Sequence, residues 1–157
     1  MGLINQVEFV KLERFKDESL SRFGPVLSNE TVVYEIPPKN TDDGLFCHRF
    51  QTDKLFVIRG TLVLVFIQNR DHHYVLMTQE NPLLVIIPPG IPHAVMNPTS
   101  DSCFYINAVI RHGKPHNKDY KPIQKPFTFN QLKVNKLMGL YPHFSQIDLK
   151  PQFRDEK

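Results

Sequence analysis

The apolar residues of this chain fall into short runs that are rich in β-branched and aromatic side chains, and most runs are bounded by glycine, proline, asparagine or aspartate. The runs are VEFVKLERF, TVVYEI, LFCHRF, KLFVIRG, TLVLVFI, HYVLMT, LLVIIP, HAVMN and CFYINAVI. Many short strands at spacings of about 8–12 residues, with no helical pattern between them, are typical of antiparallel sandwiches and barrels. The pattern therefore predicts an all-β fold over the first two thirds of the chain.

Two turns can be placed within this pattern. Gly60 separates KLFVIR from TLVLVFI, and QNRDHH, residues 68–73, separates TLVLVFI from the next run. Glycine and asparagine or aspartate are the residues that tight turns between strands favour. We expect a β-meander here, with His72 and His73 in its loop.

The composition changes after Arg111. HGKPHNKDYKPIQKP, residues 112–126, is too rich in proline and lysine for a strand and predicts an extended connection. The residues that follow predict one short helix that starts at Thr128 and stops between Gly139 and Pro142. Its apolar face is expected to carry Phe129, Leu132, Leu137 and Leu140.

Length and composition are those of one globular domain. A chain of 157 residues can bury a core without disulfides, and 41% hydrophobic and 22% charged residues are near globular averages. We predict a single domain over residues 1–157, with a barrel core at about 30–111 and a C-terminal extension, carrying the helix, at about 112–150.

Charge and cysteine content exclude several classes of protein. The net charge of +3 is mild and the basic residues are scattered, which argues against a nucleic-acid partner. Cys47 and Cys103 are too few and too far apart for a zinc ribbon or a disulfide framework. The opening MGLINQVEFVKLERFKDE carries charge where a signal peptide needs an apolar centre, and no segment approaches the ~18 apolar residues of a membrane span. We expect a cytoplasmic protein that does not act at a membrane.

The stretch IIPPGIPHAVMN, residues 86–97, places a histidine directly after a tight turn that ends an apolar run. Glycine frees the backbone angles of such a turn and proline fixes them, so His93 can start the next strand at a barrel rim. Pro88, Gly90, His93 and Asn97 resemble the second signature motif of the cupin superfamily, P-x-G-x-x-H-x-x-x-N. The resemblance implies a cupin-type double-stranded β-helix, a jelly-roll barrel.

Further motifs resemble one family of metal-free cupins, the dTDP-4-dehydrorhamnose 3,5-epimerases. HRFQTDKLFVIRG supplies His48, Gln51, Lys54 and Gly60 of that family's histidine, glutamine and K-L-V motifs. Tyr105 lies twelve residues after His93, and FSQIDLKP supplies Ser145, Asp148 and Pro151 of its C-terminal motif. The resemblance spans roughly residues 44–153.

The resemblance to these epimerases implies roles for individual residues. His48 is expected to be the base that removes a proton beside the keto group, Asp148 to orient it, and Tyr105 to act as the acid. A neutral imidazole with a pKa of about 6.5 suits a base at cellular pH, and a carboxylate on its other nitrogen holds the tautomer. His93 and Lys54 are candidates for stabilising the enolate and binding substrate, and Gln51 and Asn97 are further substrate-binding candidates. The implied protein is a homodimer that needs no cofactor and acts on a nucleotide-linked 4-keto-6-deoxy sugar or a related carbonyl sugar.

Two other functions stay open. The first cupin motif is partly present, with His48 and with Asp53 seven residues before Gly60, while Phe46 stands where that motif has another histidine. A metal-dependent cupin enzyme would therefore use His48, Asp53 and His93 to hold a divalent transition metal. The second alternative is a non-catalytic module that binds a sugar or another small ligand. Sugar 3,4-ketoisomerases, a further cupin family, are resembled by GKPHNKDYKPI, residues 113–123.

Overall fold

The computed structural model describes residues 6–12, 26–40, 44–123 and 130–139 of the chain. Within these ranges there are eight strands and one helix: β1 Glu8–Lys11, β2 Glu30–Ile36, β3 Gln51–Arg59, β4 Thr61–Gln68, β5 Asp71–Thr78, β6 Leu83–Ile87, β7 His93–Met96, β8 Cys103–Arg111 and α1 Gln131–Gly139. β2 to β8 lie within the predicted barrel core of residues 30–111, and β1 adds an edge strand before it. None of the described helices is long and apolar enough to cross a membrane.

The strands form two sheets in which every pairing is antiparallel. One sheet has five strands in the order β1-β6-β3-β8-β2, and the other has three in the order β5-β4-β7. Neighbours that are not consecutive in sequence show that the chain crosses repeatedly from one sheet to the other, as in a jelly roll. The structure therefore confirms the predicted all-β jelly-roll fold with one short C-terminal helix.

The core lies between the two sheets, and β4 contributes to it with only one of its faces. Leu62, Leu64 and Phe66 of β4 belong to this core, whereas Val63 and Val65 pack on the other side of the three-stranded sheet. Successive side chains of a strand point to opposite faces, so a strand that is covered on both sides is apolar at every position. This explains the unbroken run TLVLVFI.

The helix α1 covers the outer face of the three-stranded sheet. Val134 is fully buried there, and Leu137 and Met138 pack against the same cluster. Leu132, by contrast, is 82% exposed. Two positions along a helix are separated by about 200°, so Leu132 must face away from the surface that Val134 buries. The prediction that Leu132 belongs to the apolar face is wrong, and Thr128, Phe129 and Leu140 lie outside the described residues.

Two tight turns fix the hairpins on either side of β4. Gly60, with φ +84°, joins β3 to β4, and a Cβ atom at this position would lie 2.9 Å from the carbonyl oxygen of Ser102. Asn69 and Arg70, with φ 54° and 70°, form the two-residue connection to β5. Positive φ at both central residues is the requirement of the hairpin turn that matches strand twist. His72 and His73 therefore lie on β5, not in the loop in which they were predicted.

The predicted strand LFCHRF forms only an isolated bridge between Phe46 and His93. The Phe46 N–H donates to the His93 carbonyl at 2.8 Å, and the His93 N–H donates to the Phe46 carbonyl at 2.9 Å. In addition, the Gly90 N–H donates to the His48 carbonyl at 2.7 Å. These bonds hold residues 46–48 against the turn that precedes β7, which brings two distant histidines together.

Candidate functional site

A cavity of about 380 Å³ is bounded by β2, β3, β7 and β8 and by the segment that carries His48. Its lining is Glu30, Val32, Tyr34, Glu35, Ile36, Asn40, Phe46, His48, Gln51, Leu55, His93, Ala94, Val95, Tyr105, Asn107, Val109, Arg111 and Tyr120. A concave site of this size with a few convergent polar groups is the usual form of a small-ligand site. Four of the predicted site residues, His48, Gln51, His93 and Tyr105, are in this lining.

Asp53 is the carboxylate around which the two histidines of the cavity are arranged. It is 1% exposed, and its Oδ2 lies 3.5 Å from Nε2 of His48 and 3.3 Å from Nε2 of His93. Its Oδ1 accepts hydrogen bonds from the amide of Gln51 at 2.7 Å and from the amide of Asn107 at 2.9 Å. One oxygen is thus held by two neutral donors, and the other is left for the histidines.

The protonation pattern around Asp53 follows from hydrogen-bond geometry. Nδ1 of His93 lies 3.0 Å from the carbonyl oxygen of Ile91. A carbonyl oxygen can only accept, so Nδ1 carries the proton, and in the neutral ring Nε2 would then present a lone pair. That lone pair would face a carboxylate oxygen at 3.3 Å. Such a contact is attractive only when a positive charge, either a proton or a metal ion, lies between the two atoms.

Burial and neighbouring groups shift the pKa values of Asp53 and His48 in the same direction. Burial raises the pKa of Asp53, but the hydrogen bond and charge of His93, the amide of Asn107 and the charge of His48 together lower it below the usual value. Burial lowers the pKa of His48, and Asp53 opposes this shift only in part. The expected state is an ionised Asp53 beside a neutral His48.

His48 reaches the cavity through one ring nitrogen. Its Nδ1 is buried and hydrogen-bonds to no other described group, which leaves Nε2, next to Asp53, as the nitrogen that can exchange a proton with a ligand. Asp119 also has a buried oxygen, Oδ1, without a partner among the described residues. The two segments touch, because the Ile123 N–H donates to the carbonyl of Leu45 at 2.7 Å, and the charge of Asp119 acts on the pKa of His48.

His48, Asp53 and His93 also form a group that could hold a metal ion, since one ligand atom from each lies within 4.8 Å of the others. Two imidazoles and one carboxylate are a common ligand set for divalent transition metals. The bond from His93 Nδ1 to the Ile91 carbonyl is the kind of outer contact that orients a metal-binding histidine. The residues present therefore fit such an ion.

Arg111, at the end of β8, anchors a hydrogen-bond chain that leads to Asp53. Its Nη1 donates to Oε1 of Gln51 at 2.6 Å and to the hydroxyl of Tyr120 at 2.7 Å, and its Nη2 donates to Glu30 at 2.6 Å. A guanidinium can only donate, so it fixes the amide oxygen of Gln51 towards itself and the amide nitrogen towards Asp53. Tyr120 also lies beside His48, with ring centroids 5.8 Å apart.

Tyr105, the predicted acid, lies on the wall of the cavity and is 9% exposed. Its ring stacks on that of Tyr34 across the β2–β8 pairing, with centroids 5.1 Å apart. Burial and the charge of Asp53 raise the pKa of Tyr34. The stacked pair therefore presents a neutral phenol to the cavity at Tyr34.

Two predicted substrate-binding residues, Lys54 and Asn97, are not in the lining of the cavity. Lys54 alternates with Asp53 on β3, so its side chain lies on the opposite face, where Nζ donates to the carbonyl of Leu27 at 2.9 Å. Asn97 is fully buried and its side chain bonds the backbone of neighbouring loops. The predicted placement of both in the ligand site is therefore wrong. Asp148 lies outside the described residues.

Among the lining residues that received no role from the sequence, four form the side-chain hydrogen bonds described above: Glu30, Asn107, Arg111 and Tyr120. A signal for two of them was present. Because side chains alternate along a strand, the choice of Tyr105 as inward-facing also places Asn107 and Arg111 on that face. Tyr120 lies in the segment that resembles the sugar 3,4-ketoisomerases.

Comparison with known proteins identifies the fold. No model of a known protein family matches the sequence, and no curated protein sequence matches it significantly. Several solved structures, in contrast, align with this chain. A dTDP sugar isomerase from Desulfovibrio desulfuricans G20 aligns with a TM-score of 0.59 at 16% identity, over 73% of this chain and 85% of that one. The dTDP-4-dehydrorhamnose 3,5-epimerase from Sulfolobus tokodaii aligns with a TM-score of 0.59 at 13% identity, over 82% of this chain and 87% of that one. The chain has the cupin fold.

A third cupin extends this comparison to a structure with a bound nucleotide. The sugar 3,4-ketoisomerase QdtA from Thermoanaerobacterium thermosaccharolyticum, in complex with TDP, aligns with a TM-score of 0.60 at 13% identity, over 75% of this chain and 88% of that one. These identities establish the common cupin fold, and the predicted resemblance to the epimerase type of cupin is confirmed at that level.

Proposed function

We propose that this protein is an isomerase or epimerase of a carbonyl sugar, with a nucleotide-linked 4-keto-6-deoxy sugar as the leading substrate class. The observation that carries the proposal is a partly buried His48 at the wall of a ligand-sized cavity, next to an ionised carboxylate. Support for the substrate class comes from structures of the same fold, which are dTDP-sugar isomerases, 3,4-ketoisomerases and a 3,5-epimerase.

In the proposed reaction His48 is the base. Because burial lowers the pKa of His48, the ring is neutral at cellular pH and can accept a proton from the carbon beside the keto group. Transfer to Nε2 creates an imidazolium next to Oδ2 of Asp53. The negative charge of Asp53 stabilises this imidazolium, so Asp53 contributes to the acceptance of the proton.

The tautomer of His48 must be held with its proton on Nδ1 for Nε2 to act as a base. The predicted partner for Nδ1 is Asp148. Among the described residues, Asp119 is the carboxylate that suits this role, because it too has a buried oxygen without a donor and its charge acts on His48. A carboxylate at Nδ1 would satisfy a buried N–H that otherwise costs stability.

Tyr105 remains the proposed acid, and His93 remains a proposed substrate-binding residue. Both line the cavity that contains His48. A protonated phenol can return a proton to the other face of the enolate. The predictions of a homodimer, of a cytoplasmic location and of independence from cofactors remain predictions.

The test is hydrogen exchange at the carbons beside the keto group. Chelator-treated protein is incubated with dTDP-4-keto-6-deoxyglucose in deuterated water, and the protons at carbons 3 and 5 are followed by NMR. We expect protein-dependent loss of one signal or both, abolished by His48→Gln and slowed by Tyr105→Phe. His72→Gln, a change at an exposed histidine of β5 outside the cavity lining, is the matched control and should leave exchange unchanged. Exchange that survives His48→Gln would exclude His48 as the base.

A second candidate, a metal-dependent cupin enzyme, is favoured by one specific observation. The lone pair of His93 Nε2 and the Asp53 carboxylate face each other at 3.3 Å, and a metal ion is one of the two charges that would make this contact attractive. A divalent ion there would polarise a substrate oxygen. Elemental analysis of purified protein separates the two candidates: one equivalent of metal per chain, lost in Asp53→Asn, supports the metal enzyme, whereas exchange activity in metal-free protein refutes it.

A further inference from the structure

We infer that Arg111 binds the diphosphate of the ligand, and that the carboxylate of Glu30 occupies this place on the guanidinium when the ligand is absent. The inference rests on the proposed function for the choice of diphosphate as the anion. Arg111 and Glu30 would then recognise the ligand, although neither takes part in the proposed proton transfers.

The guanidinium of Arg111 is held in place by neutral groups. Gln51 and Tyr120 both accept from Nη1, at 2.6 Å and 2.7 Å. Neither carries charge, so these bonds fix the position of the cation without neutralising it. Because arginine stays protonated in proteins, a full positive charge with a defined orientation is built into the cavity wall.

Glu30 is the described carboxylate that forms a salt bridge with this cation, and it is suited to exchange. It bonds Nη2 through one oxygen at 2.6 Å, and its side chain is 49% exposed, against 26% for Arg111. It also lies at the first residue of β2, an edge strand. Exposed ion pairs contribute little to stability, whereas phosphate oxygens match the planar donors of a guanidinium and carry more charge. A diphosphate can therefore replace Glu30.

The position of Arg111 relative to the proposed base fits a sugar diphosphate. Tyr120 contacts both groups, since its hydroxyl bonds Nη1 of Arg111 and its ring centroid lies 5.8 Å from that of His48. An anion on Arg111 would thus leave an attached sugar ring beside His48 and Asp53. Both Arg111 and His48 line the same cavity.

The chain offers a matched control for the role of Glu30. Glu35 lies on the same strand and borders the same cavity, but its side chain points to the other face of β2 because it is five residues from Glu30. None of the described hydrogen bonds of Arg111 involves Glu35. Glu30→Gln and Glu35→Gln each remove one negative charge from β2. If Glu30 affects anion binding only through its negative charge, and not through its ion pair with Arg111, both changes should alter the affinity for an anion similarly.

The experiment is calorimetric titration of inorganic pyrophosphate and of TDP into the full chain and its variants, with no turnover involved. We expect Glu30→Gln to bind both probes at least about fivefold more tightly than the unchanged protein, and Glu35→Gln to stay within about twofold. Arg111→Met should weaken binding at least about tenfold, and Arg111→Lys, which keeps the charge but not the fork, should lie between. Circular dichroism confirms that each variant is folded.

Three outcomes would overturn the inference. The first is Glu30→Gln binding no more tightly than Glu35→Gln, and the second is Arg111→Met and Arg111→Lys binding as the unchanged protein does. The third is an Arg111-dependent affinity for a sugar carboxylate such as glucuronate with none for pyrophosphate, which would identify a different anion. Because these are binding measurements, their failure is distinguishable from a failure of hydrogen exchange, which tests the proposed reaction.

Discussion

Replacement of Asn97 by alanine separates a structural role from the ligand-binding role that its motif predicts. Its amide nitrogen lies 3.1 Å from the carbonyl of Ile36, 3.2 Å from that of Pro37 and 2.7 Å from that of Asp101. Its amide oxygen accepts from the backbone N–H of Thr99 at 3.0 Å and from the Thr99 hydroxyl at 2.6 Å. Asn97 therefore ties the end of β2 to the loop between β7 and β8.

The expected loss in the free energy of unfolding follows from these hydrogen bonds. An amide has two N–H donors, so three carbonyls share two protons, and the accepted bonds from Thr99 bring the total to about four hydrogen bonds at about 1 kcal/mol each. Water can reach part of the loop once the amide is gone, because Asp101 is exposed and Thr99 is partly exposed. We therefore expect Asn97→Ala to lower the free energy of unfolding by about 3 kcal/mol, with a fall in Tm of about 6–12 °C.

The assay is urea denaturation with TDP titration of the same samples. The contrasting variant is Asn107→Ala, which removes an amide of the cavity lining that donates to Asp53. Asn97→Ala should lower the free energy of unfolding and leave the TDP affinity of the folded fraction unchanged. Asn107→Ala should lower the TDP affinity and change the free energy of unfolding less than Asn97→Ala does. The reasoning is refuted if Asn97→Ala unfolds within about 0.5 kcal/mol of the unchanged protein while ligand affinity falls.

Three further predictions concern the helix, a turn and the base. Val134→Ala should lower the free energy of unfolding by about 2 kcal/mol in urea denaturation, and Leu132→Ala by less than about 0.5 kcal/mol, since only Val134 is buried; equal effects would contradict the docking of α1. Gly60→Ala should lower the Tm more than Gly90→Ala does, because both residues have positive φ but only at Gly60 would a Cβ atom meet backbone atoms. The opposite order of Tm values would refute this. Burial lowers the pKa of His48, so its contribution to stability is present above about pH 6.5 and is lost as the pH falls towards the folded-state pKa. The stability difference between the unchanged protein and His48→Gln should therefore shrink between about pH 7.5 and about pH 5, and a difference that grows would contradict the neutral histidine.

The site illustrates how far strand alternation carries a prediction. Gln51, Asp53 and Leu55 share a buried face of β3, and Lys54 cannot join them because its side chain points the other way. The sequence resemblance selected Lys54 from its motif position, and the alternation rule, applied to the same strand, would have excluded it. On β8 the same rule places Tyr105, Asn107 and Arg111 on one face of the strand.

Asn97 shows the limit of a motif more clearly. The motif Pro88, Gly90, His93 and Asn97 is found in the predicted context, a strand, a tight turn and a new strand. Gly90 has the positive φ that such a turn needs, with φ +86°. The motif thus describes the turn and its supports. It does not state which of its polar members face a ligand, because that depends on which carbonyls the neighbouring loops offer.

The sequence by itself determined the class of fold, since runs of five to nine apolar and β-branched residues between turn residues can bury their side chains only as paired strands. It also determined the two histidines and their turn, because glycine and proline constrain the backbone locally. Only the tertiary structure decided that Asp53 lies between those histidines and that Arg111 reaches Asp53 through Gln51. These contacts join residues up to 60 positions apart. They depend on the register with which β3 pairs with β6 and β8, and register is a property of the assembled sheets rather than of any one strand.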